Sequence, residues 1–330
     1  MKLRLSIAMD SNPRTRPILD GRVEPDGIEF QVSEVFPSEL FWRQLRFADF
    51  DASEMSFSTL MMITAKGDDR WLGLPIFTTR HFFHTWALVR SDRVKSPQDL
   101  KGKRVGVPEY QQTAALWTRG ILQHEWGVAP RDMEFWMERT PDHSHAGATG
   151  FKPPPGVTIN QIPADKDIGS MLLAGELDAT LLYIAGHNNL VDRSQADLRN
   201  HPHIRPLFPD PIAEGTRFFN KHGIYPINHA FIVRRSIAEK HPWAVLNVFK
   251  AFERANDIAN QERLQHIEYH LKSGQLPAES EAALKRTLAP HGIKANRKTL
   301  ETAAQYSVEQ GLTPRLMKLE ELFASSTLDQ

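Results

Sequence analysis

The chain has 330 residues, of which 41% are apolar, and its 40 lysines and arginines balance its 40 aspartates and glutamates. This length and apolar content favour about two globular domains. The zero net charge excludes the global field by which a protein recruits nucleic acid or an anionic membrane, so we expect a small-molecule partner instead. The absence of cysteine excludes disulfides, thiolate zinc sites and a cysteine nucleophile, and it fits a reducing compartment.

Short strands and helices alternate along the first part of the chain. Residues 1–9 alternate apolar and polar side chains before Asp10 and Pro13, which predicts a first strand and its turn rather than an export signal. A cytoplasmic location follows as an expectation. The next elements predicted from hydrophobic spacing are strand 27–32, helix 37–47, strand 50–53, helix 57–66, strand 71–76 and strand 84–90.

A second α/β unit is predicted after the polar connection at 91–103. Its elements are strand 104–108, helix 113–125, helix 167–175 and strand 178–182. Residues 139–157 are rich in His, Gly and Pro and show neither the helical nor the strand spacing of apolar residues, which predicts a long loop. Such a loop is usually functional or disordered.

The chain then crosses back to the first unit. Strand 230–233 is followed by predicted helices at 242–259, 262–271, 279–288, 297–310 and 314–323. We therefore predict an α/β protein of two lobes, each a mixed sheet flanked by helices, with a helical C-terminal tail. Residues 1–91 and 227–330 form the first lobe, and residues 92–226 form the second.

The segment from Arg80 to His84 places a guanidinium and two imidazoles at the start of a predicted strand, where side chains can converge on a small anion. This pattern indicates a site that handles a carboxylate. The alternative is that Arg80 forms a surface ion pair and that His84 is a half-buried histidine with its hydrogen bonds satisfied.

Several stretches spread over almost the full length form one combination. They are Arg14-Thr15-Arg16-Pro17 with Asp20-Gly21-Arg22-Val23, Ser53-Glu54-Met55-Ser56, Arg80 with Phe82 and His84, the run from Asp99 to Gln111, Gly175-Glu176-Leu177-Asp178-Ala179, Leu207-Phe208-Pro209-Asp210-Pro211, and Tyr225-Pro226-Ile227-Asn228-His229. Together they resemble the 4,5-dihydroxyphthalate decarboxylase family. The resemblance implies the fold of type 2 periplasmic binding proteins, used without export. It also implies decarboxylation of a hydroxylated aromatic dicarboxylic acid in the cleft between the lobes.

The chain also departs from the pattern of that family at four places. The family commonly has arginine where Phe83 stands, methionine where Asn228 stands and cysteine where Ser53 stands. A Trp-x-x-Gly-Gly segment is common where this chain reads Trp136-Met137-Glu138-Arg139. Loss of an arginine removes a bidentate carboxylate clamp, so the departures bear on which aromatic acid is bound.

Decarboxylation requires a proton donor near the carbon that loses its carboxylate, a polar group at the ring hydroxyls and cations for a second carboxylate. His84 and His229 are the candidate proton-transfer residues, because histidine titrates nearest neutral pH. Glu54 is the third catalytic candidate, as an acid or as an acceptor from a hydroxyl, and its alternative is an ion pair between lobes. Arg14 and Arg80 are the candidate clamps, since a guanidinium matches a carboxylate in two parallel hydrogen bonds.

The remaining candidate substrate-binding residues follow from the same resemblance and from one predicted helix start. Free backbone N–H groups at the start of helix 113–125 favour an anion, although ordinary helix capping is the alternative there. These candidates are Ser53, Gln111, Gln112, Thr113 and Asn228.

Two histidine pairs have the composition of a metal site. His81 and His84 are three residues apart, and such a pair on an extended strand points to opposite faces, while His143 and His145 lie in the predicted loop. We therefore expect no metal site and no cofactor, with a divalent ion left open. The principal alternative function is a solute-binding protein of an importer for an aromatic or sulfonated acid, and a related lyase or hydrolase is a further one. A homo-oligomer also stays open.

Overall fold

Two β-sheets organise the chain in the computed structural model, which describes residues 2–187, 189–198, 201–285 and 289–330. The strands are β1 Leu3–Met9, β2 Ile28–Glu34, β3 Ala52–Ser56, β4 Trp71–Leu74, β5 Leu88–Arg90, β6 Arg104–Val107, β7 Glu134–Met137, β8 Thr158–Gln161, β9 Ala179–Thr180, β10 Ile204–Pro206 and β11 His229–Arg234. The first sheet has the strand order β2-β1-β3-β11-β4, and the second has the order β10-β5-β9-β6-β7-β8.

Helices flank both sheets. They are α1 Arg16–Leu19, α2 Pro37–Phe47, α3 Phe57–Lys66, α4 Thr113–Trp126, α5 Ala146–Thr149, α6 Ile168–Leu173, α7 Pro211–His222, α8 Arg235–Lys240, α9 Pro242–Lys272, α10 Glu281–Leu284, α11 Arg297–Glu309 and α12 Leu319–Leu322. Within the described ranges, no helix is both long and apolar enough to span a bilayer.

Each sheet is mixed, as the sequence predicts. In the first sheet β1 runs parallel to β2 and β3, while β11 runs antiparallel to β3 and β4. In the second sheet β6, β7, β8 and β9 are parallel, and β5 runs antiparallel to β9 and β10. The chain therefore crosses between the sheets twice, first between β4 and β5 and again between β10 and β11.

Strand β5 belongs to a different sheet from the one that the predicted lobe boundaries give it. Strand β5 pairs in the second sheet, although the prediction assigned residues 1–91 to the first lobe. The crossover therefore precedes Leu88. The other lobe boundaries stay a prediction.

The predicted strand 84–90 is wrong in its first half. Phe83–Trp86 is a single turn of 3-10 helix, and only Leu88–Arg90 is extended. The turn is closed by the Thr85 backbone N–H, which donates to the Phe82 carbonyl at 2.9 Å, and by the Thr85 hydroxyl, which donates to the same oxygen at 2.8 Å. A β-branched polar residue that satisfies a local carbonyl in this way competes with strand formation.

The C-terminal tail differs from prediction in its boundaries. The predicted helices 242–259 and 262–271 form one helix, α9, because nothing between them breaks the backbone hydrogen bonds. Helix 314–323 shortens to α12. Of predicted helix 279–288, residues 281–284 form α10, and residues 286–288 lie outside the described part. The predicted loop 139–157 contains the short helix α5.

Helix α4 connects the two sheets at the place where the cavity forms. The Trp117 indole N–H donates to the Ile227 carbonyl at 2.9 Å, just before β11 begins. Gly120 lets α11 approach closely, because a Cβ there would stand 2.1 Å from the Tyr306 ring. These contacts fix the start of α4 beside the start of β11.

Candidate functional site

A cavity of about 320 Å³ lies between the two sheets. The segments before and after the crossovers, the start of α4 and the loop after β7 all contribute to its wall. Ten of the 22 lining residues are aromatic or apolar, and the other twelve are polar or ionisable. The lining residues are Asp10, Phe36, Pro37, Ser38, Phe41, Ser56, Thr79, His81, Phe83, Trp86, Gln112, Thr113, Ala114, Arg139, His145, Leu182, Tyr183, Ile184, Ala185, His187, Asn228 and His229.

His229 and Glu54 form a buried pair at this cavity. His229 begins β11 and lines the cavity, and its Nδ1 lies 4.0 Å from Glu54 Oε2 on the adjacent strand β3. The His229 Nε2 lies 2.9 Å from the side-chain nitrogen of Asn228, and the Asp10 backbone N–H donates to Glu54 Oε2 at 3.0 Å. Glu54 is completely buried.

Burial shifts the titration of both members of the pair. It raises the pKa of Glu54 to about 7 and lowers the pKa of His229 to about 3. At neutral pH the carboxyl therefore retains a proton far more often than an ordinary glutamate does, while the imidazole is neutral. The 4.0 Å between Nδ1 and Oε2 is longer than a hydrogen bond, so the carboxyl can pass a proton to the imidazole once the two side chains move closer.

The start of α4 supplies donors to the cavity. Gln112 is the residue before the first turn, and the first N–H groups of a helix have no partner within it. The Thr113 hydroxyl oxygen accepts from the Ser58 backbone N–H at 2.8 Å and lies 2.8 Å from the Ser56 hydroxyl, so this side chain ties α4 to the first sheet. The backbone N–H groups remain suited to a carboxylate.

A second buried polar group surrounds Arg139 and His145. Arg139 follows β7, and Glu109 follows the neighbouring parallel strand β6, so both lie at the carboxyl ends of adjacent strands. The Arg139 guanidinium donates to Asp192 Oδ1 at 2.8 and 2.9 Å and to the Ser38 hydroxyl oxygen at 2.5 Å. His145 Nδ1 lies 3.5 Å from Glu109 Oε2.

His81 lines the cavity together with Trp86. Its ring packs 4.8 Å from the ring of Trp86, which is about half exposed. Burial lowers the pKa of His81, so this imidazole is neutral at neutral pH. Phe83 also lines the cavity, at the place where the family pattern has an arginine.

The predicted site residues divide into two sets. His229, Asn228, Gln112 and Thr113 line the cavity, and Glu54 lies behind His229. The 3-10 turn directs His84 away from the cavity, where its Nε2 lies 3.1 Å from Glu214 Oε1 on α7. The other residues that do not line the cavity are Arg14, Arg80, Ser53 and Gln111.

The predicted clamps Arg14 and Arg80 bind backbone carbonyls and one side-chain amide outside the cavity instead. Arg80 donates to the Pro290 carbonyl at 3.0 Å and to Asn296 Oδ1 at 2.5 Å. Arg14 donates to the carbonyls of Phe77 and Ala289. Desolvation lowers the pKa of Arg14 to about 10 and that of Arg80 to about 9. Both guanidiniums thus fasten the segment after α10 to the first sheet.

Two of the predicted polar residues do not line the cavity and form hydrogen bonds within the protein instead. The Ser53 hydroxyl donates to the Glu54 carbonyl at 2.9 Å, and the Gln111 amide donates to Glu109 Oε2 at 2.8 Å. Gln111 therefore supports the Glu109 group rather than a ligand directly.

Sequence reasoning missed the roles of Arg139 and His145. Both lie in the predicted loop 139–157, whose length was the available signal, since long loops held by a rigid scaffold often carry functional residues. In the described ranges, no group of three or more His, Asp or Glu side chains is placed to hold a metal ion. Metal independence stays a prediction.

Two curated relatives share extensive sequence with this chain. It is 32% identical to the 4,5-dihydroxyphthalate decarboxylase of Comamonas testosteroni over 338 residues, which cover 99% of this chain and 98% of that protein. It is 35% identical to the 4,5-dihydroxyphthalate decarboxylase of Pseudomonas putida over 213 residues, which cover 64% of this chain and 79% of that protein. No family model matches the chain.

Solved structures share the fold at low sequence identity. The alkanesulfonate-binding protein SsuA of Xanthomonas axonopodis pv. citri has a TM-score of 0.52 and 17% identity, with 98% of this chain and 97% of that one covered. The desulfurization enzyme DSZB has a TM-score of 0.52 and 12% identity, with the same two coverages. A binding protein and an enzyme thus share this architecture, so the fold alone does not assign an activity. The fold is that of the periplasmic binding proteins, and the near full-length relationship shows that the chain belongs to the 4,5-dihydroxyphthalate decarboxylase family.

Proposed function

We propose that this protein is a decarboxylase that removes CO2 from a hydroxylated aromatic dicarboxylic acid such as 4,5-dihydroxyphthalate, in the cavity between the two sheets. Its membership of the decarboxylase family supports the reaction class. The observation that carries the proposal is the Glu54–His229 pair, a buried carboxyl with a raised pKa behind an imidazole that lines the cavity.

The pair supplies the proton that replaces the leaving carboxylate. Glu54, whose pKa of about 7 keeps it partly protonated, gives its proton to the neutral His229 imidazole, and the imidazolium so formed protonates the ring carbon. The burial that lowers the pKa of His229 makes its protonated form a strong acid, which suits transfer to carbon.

The remaining wall orients the substrate. Phe41 packs edge-on against the His229 ring, with 4.8 Å between the ring centres, and offers an apolar face to an arene. Gln112, the backbone N–H groups from Thr113 onward and Asn228 bind the carboxylate that is retained. Arg14, Arg80 and His84 have structural roles in this proposal, since none of them lines the cavity.

The partner in this proposal is a small aromatic acid, with no nucleic acid or membrane involved. The reaction needs no metal or organic cofactor, because proton transfer and a polar wall suffice for it. Activity that survives chelation by EDTA supports this point, and activity restored only by a divalent ion contradicts it. Cytoplasmic location is also proposed, and cell fractionation tests it. The oligomeric state remains open to measurement by light scattering.

The direct experiment incubates the pure protein with 4,5-dihydroxyphthalate and follows CO2 release together with the ring absorption spectrum. We expect stoichiometric CO2 from the wild type. The variant His229→Gln should lower kcat by about 100-fold or more, the usual contribution of a proton-transfer residue. His143→Gln is the matched control, because His143 does not line the cavity.

The alternative is a solute-binding protein, because the sulfonate-binding SsuA proteins share this fold. Calorimetric binding of aromatic or sulfonated acids without release of CO2 from any of them would support that alternative and refute the decarboxylase.

A further inference from the structure

The group around His145 is a buried arrangement that the proton transfer described above does not use. Glu109, Arg139 and His145 are 0%, 1% and 3% exposed. One carboxylate holds the other two members: Glu109 Oε1 lies 3.7 Å from Arg139 Nη1 and accepts from the His145 backbone N–H at 2.9 Å, and Glu109 Oε2 lies 3.5 Å from the His145 ring. These contacts fix both the position and the ring orientation of His145.

Two nitrogen atoms of this group are left for a ligand. Arg139 Nη1 and His145 Nε2 are buried and have no hydrogen-bond partner in the described part of the chain, and both residues line the cavity. Leaving a buried nitrogen without a partner costs about 1–3 kcal/mol. Because Arg139 and His145 line the cavity, a molecule bound there can supply the missing hydrogen bonds.

The charge of the group decides which end of the substrate it takes. Arg139 carries one positive charge, while Glu109 and Asp192 carry one negative charge each, so the group is net negative with a neutral His145. A net negative group repels a carboxylate, but it stabilises a proton that arrives on the imidazole, and once protonated the group is neutral and no longer repels a phenolate. A neutral ring hydroxyl, which donates a hydrogen bond, fits this wall, and the carboxylate fits the start of α4.

We propose that His145 is a second acid–base residue, which ionises a ring hydroxyl of the substrate, and that Glu109 positions it while Arg139 stabilises the phenolate oxygen. This inference rests on the proposed decarboxylation and extends it to substrates with a hydroxyl para to the leaving carboxylate. Burial lowers the pKa of His145, against an opposite effect of Glu109, so the imidazole is neutral and able to accept a proton.

The step balances with one proton taken up from solvent, which restores the Glu54–His229 pair after its proton has gone to carbon. The O–H bond breaks, its proton moves to His145 Nε2, and its electron pair enters the ring and raises electron density at the carbon that bears the carboxylate. That carbon takes a proton from His229. The C–C bond then breaks, its electron pair restores the aromatic ring, CO2 leaves, and His145 returns its proton to the oxygen. The ring of Phe41 packs against both imidazoles, with centre distances of 4.8 Å to His229 and 6.0 Å to His145, so one bound arene can reach both.

The test uses 4-nitrocatechol, whose absorption spectrum reports ionisation of its hydroxyl groups and which needs no turnover. We expect the wild type to bind it as the phenolate at a pH where the free compound is still protonated. His145→Gln should abolish this spectral shift, and His143→Gln, in the same loop but away from the cavity, should retain it. A bound compound that ionises as it does in free solution, or no binding at all, would overturn the proposal whether or not the variants fold.

A pH profile of kcat then distinguishes a positioning role of Glu109 from a purely structural one. The charged groups that act on His145 are Glu109, Arg139 and Asp192, and of these Glu109 raises its pKa most. Glu109→Gln should therefore move the acidic limb of the profile to lower pH and reduce kcat by about 10-fold or more, whereas a structural role would leave the limb in place. Release of CO2 with an unchanged kcat in His145→Gln refutes this inference alone. If the wild type shifts the spectrum but releases no CO2, and His145→Gln abolishes the shift, only the decarboxylation is refuted.

Discussion

Replacing Glu54 by glutamine should make the stability of the protein depend on pH in a new way. Glu54 is completely buried, and burial raises its pKa from 4.5 to about 7. A carboxyl whose pKa is higher in the folded state contributes most below its ordinary pKa, and this contribution is lost as the pH rises from 4.5 to about 7. The ionised side chain therefore lowers the free energy of unfolding by about 3 kcal/mol above pH 7.

Urea denaturation at pH 8 and pH 5 measures this contribution directly. The difference in unfolding free energy between Glu54→Gln and the wild type should fall by about 2–3 kcal/mol from pH 8 to pH 5, because only the wild type regains stability by protonation. The exposed Glu279→Gln makes the same chemical change in solvent and should show no such trend. A difference that stays constant to within about 0.5 kcal/mol would show that Glu54 is not held protonated by burial.

His229 should produce the opposite dependence on pH. Its pKa is lower in the folded state, at about 3, so its contribution is complete above 6.5 and is lost as the pH falls from 6.5 towards 3. Between pH 4.5 and 6.5 the two members of the pair therefore compensate one another in the wild type. Glu54→Gln removes this compensation, so the variant should lose stability towards acid more steeply than the wild type.

Three further substitutions test the packing and the assignment of roles. Gly120→Ala should cost about 1–3 kcal/mol in urea denaturation, because its Cβ would overlap the Tyr306 ring, while Gly147→Ala, with open space around it, should be nearly neutral. Arg80→Met should lower stability by about 1–3 kcal/mol and leave KM unchanged, and a KM raised 10-fold or more at unchanged stability would restore Arg80 as a substrate clamp. Trp86→Ala should raise KM with little change in kcat, and an unchanged KM would remove Trp86 from the binding wall.

Much of the fold could be predicted because its local signals agree with its packing. The predicted helices 37–47 and 57–66 coincide with α2 and α3, and Gly67 ends α3 in a left-handed conformation with φ of +85°. The strand at 84–90 could not be predicted correctly, because its aromatic and apolar residues suit a strand, whereas a hydroxyl hydrogen bond at Thr85 forms a turn.

The candidate site was predictable only where it adjoins regular elements. Gln112 and Thr113 lie at the start of α4, where the predicted helix start identified them, whereas the resemblance to the family identified Asn228 and His229 at the start of β11. Contacts between distant parts of the sequence decided the rest. Arg80 binds residues more than two hundred positions away, and His145 reaches the cavity from a loop without any hydrophobic period.

The departures from the family pattern fall mostly on the cavity wall. Phe83, Asn228 and Arg139 line it, and Ser53 does not. Phe83 offers no charge, and Arg139, the guanidinium among the lining residues that the structure describes, is paired with Asp192 through Nε and Nη2 and keeps only Nη1 for a ligand. A substrate dianion is therefore stabilised chiefly by backbone N–H groups at the start of α4, by the Gln112 and Asn228 amides and by proton uptake at histidine. Because Glu54 and His229 act on any suitably placed ring carbon, the wall, more than this pair, decides which aromatic acid is decarboxylated.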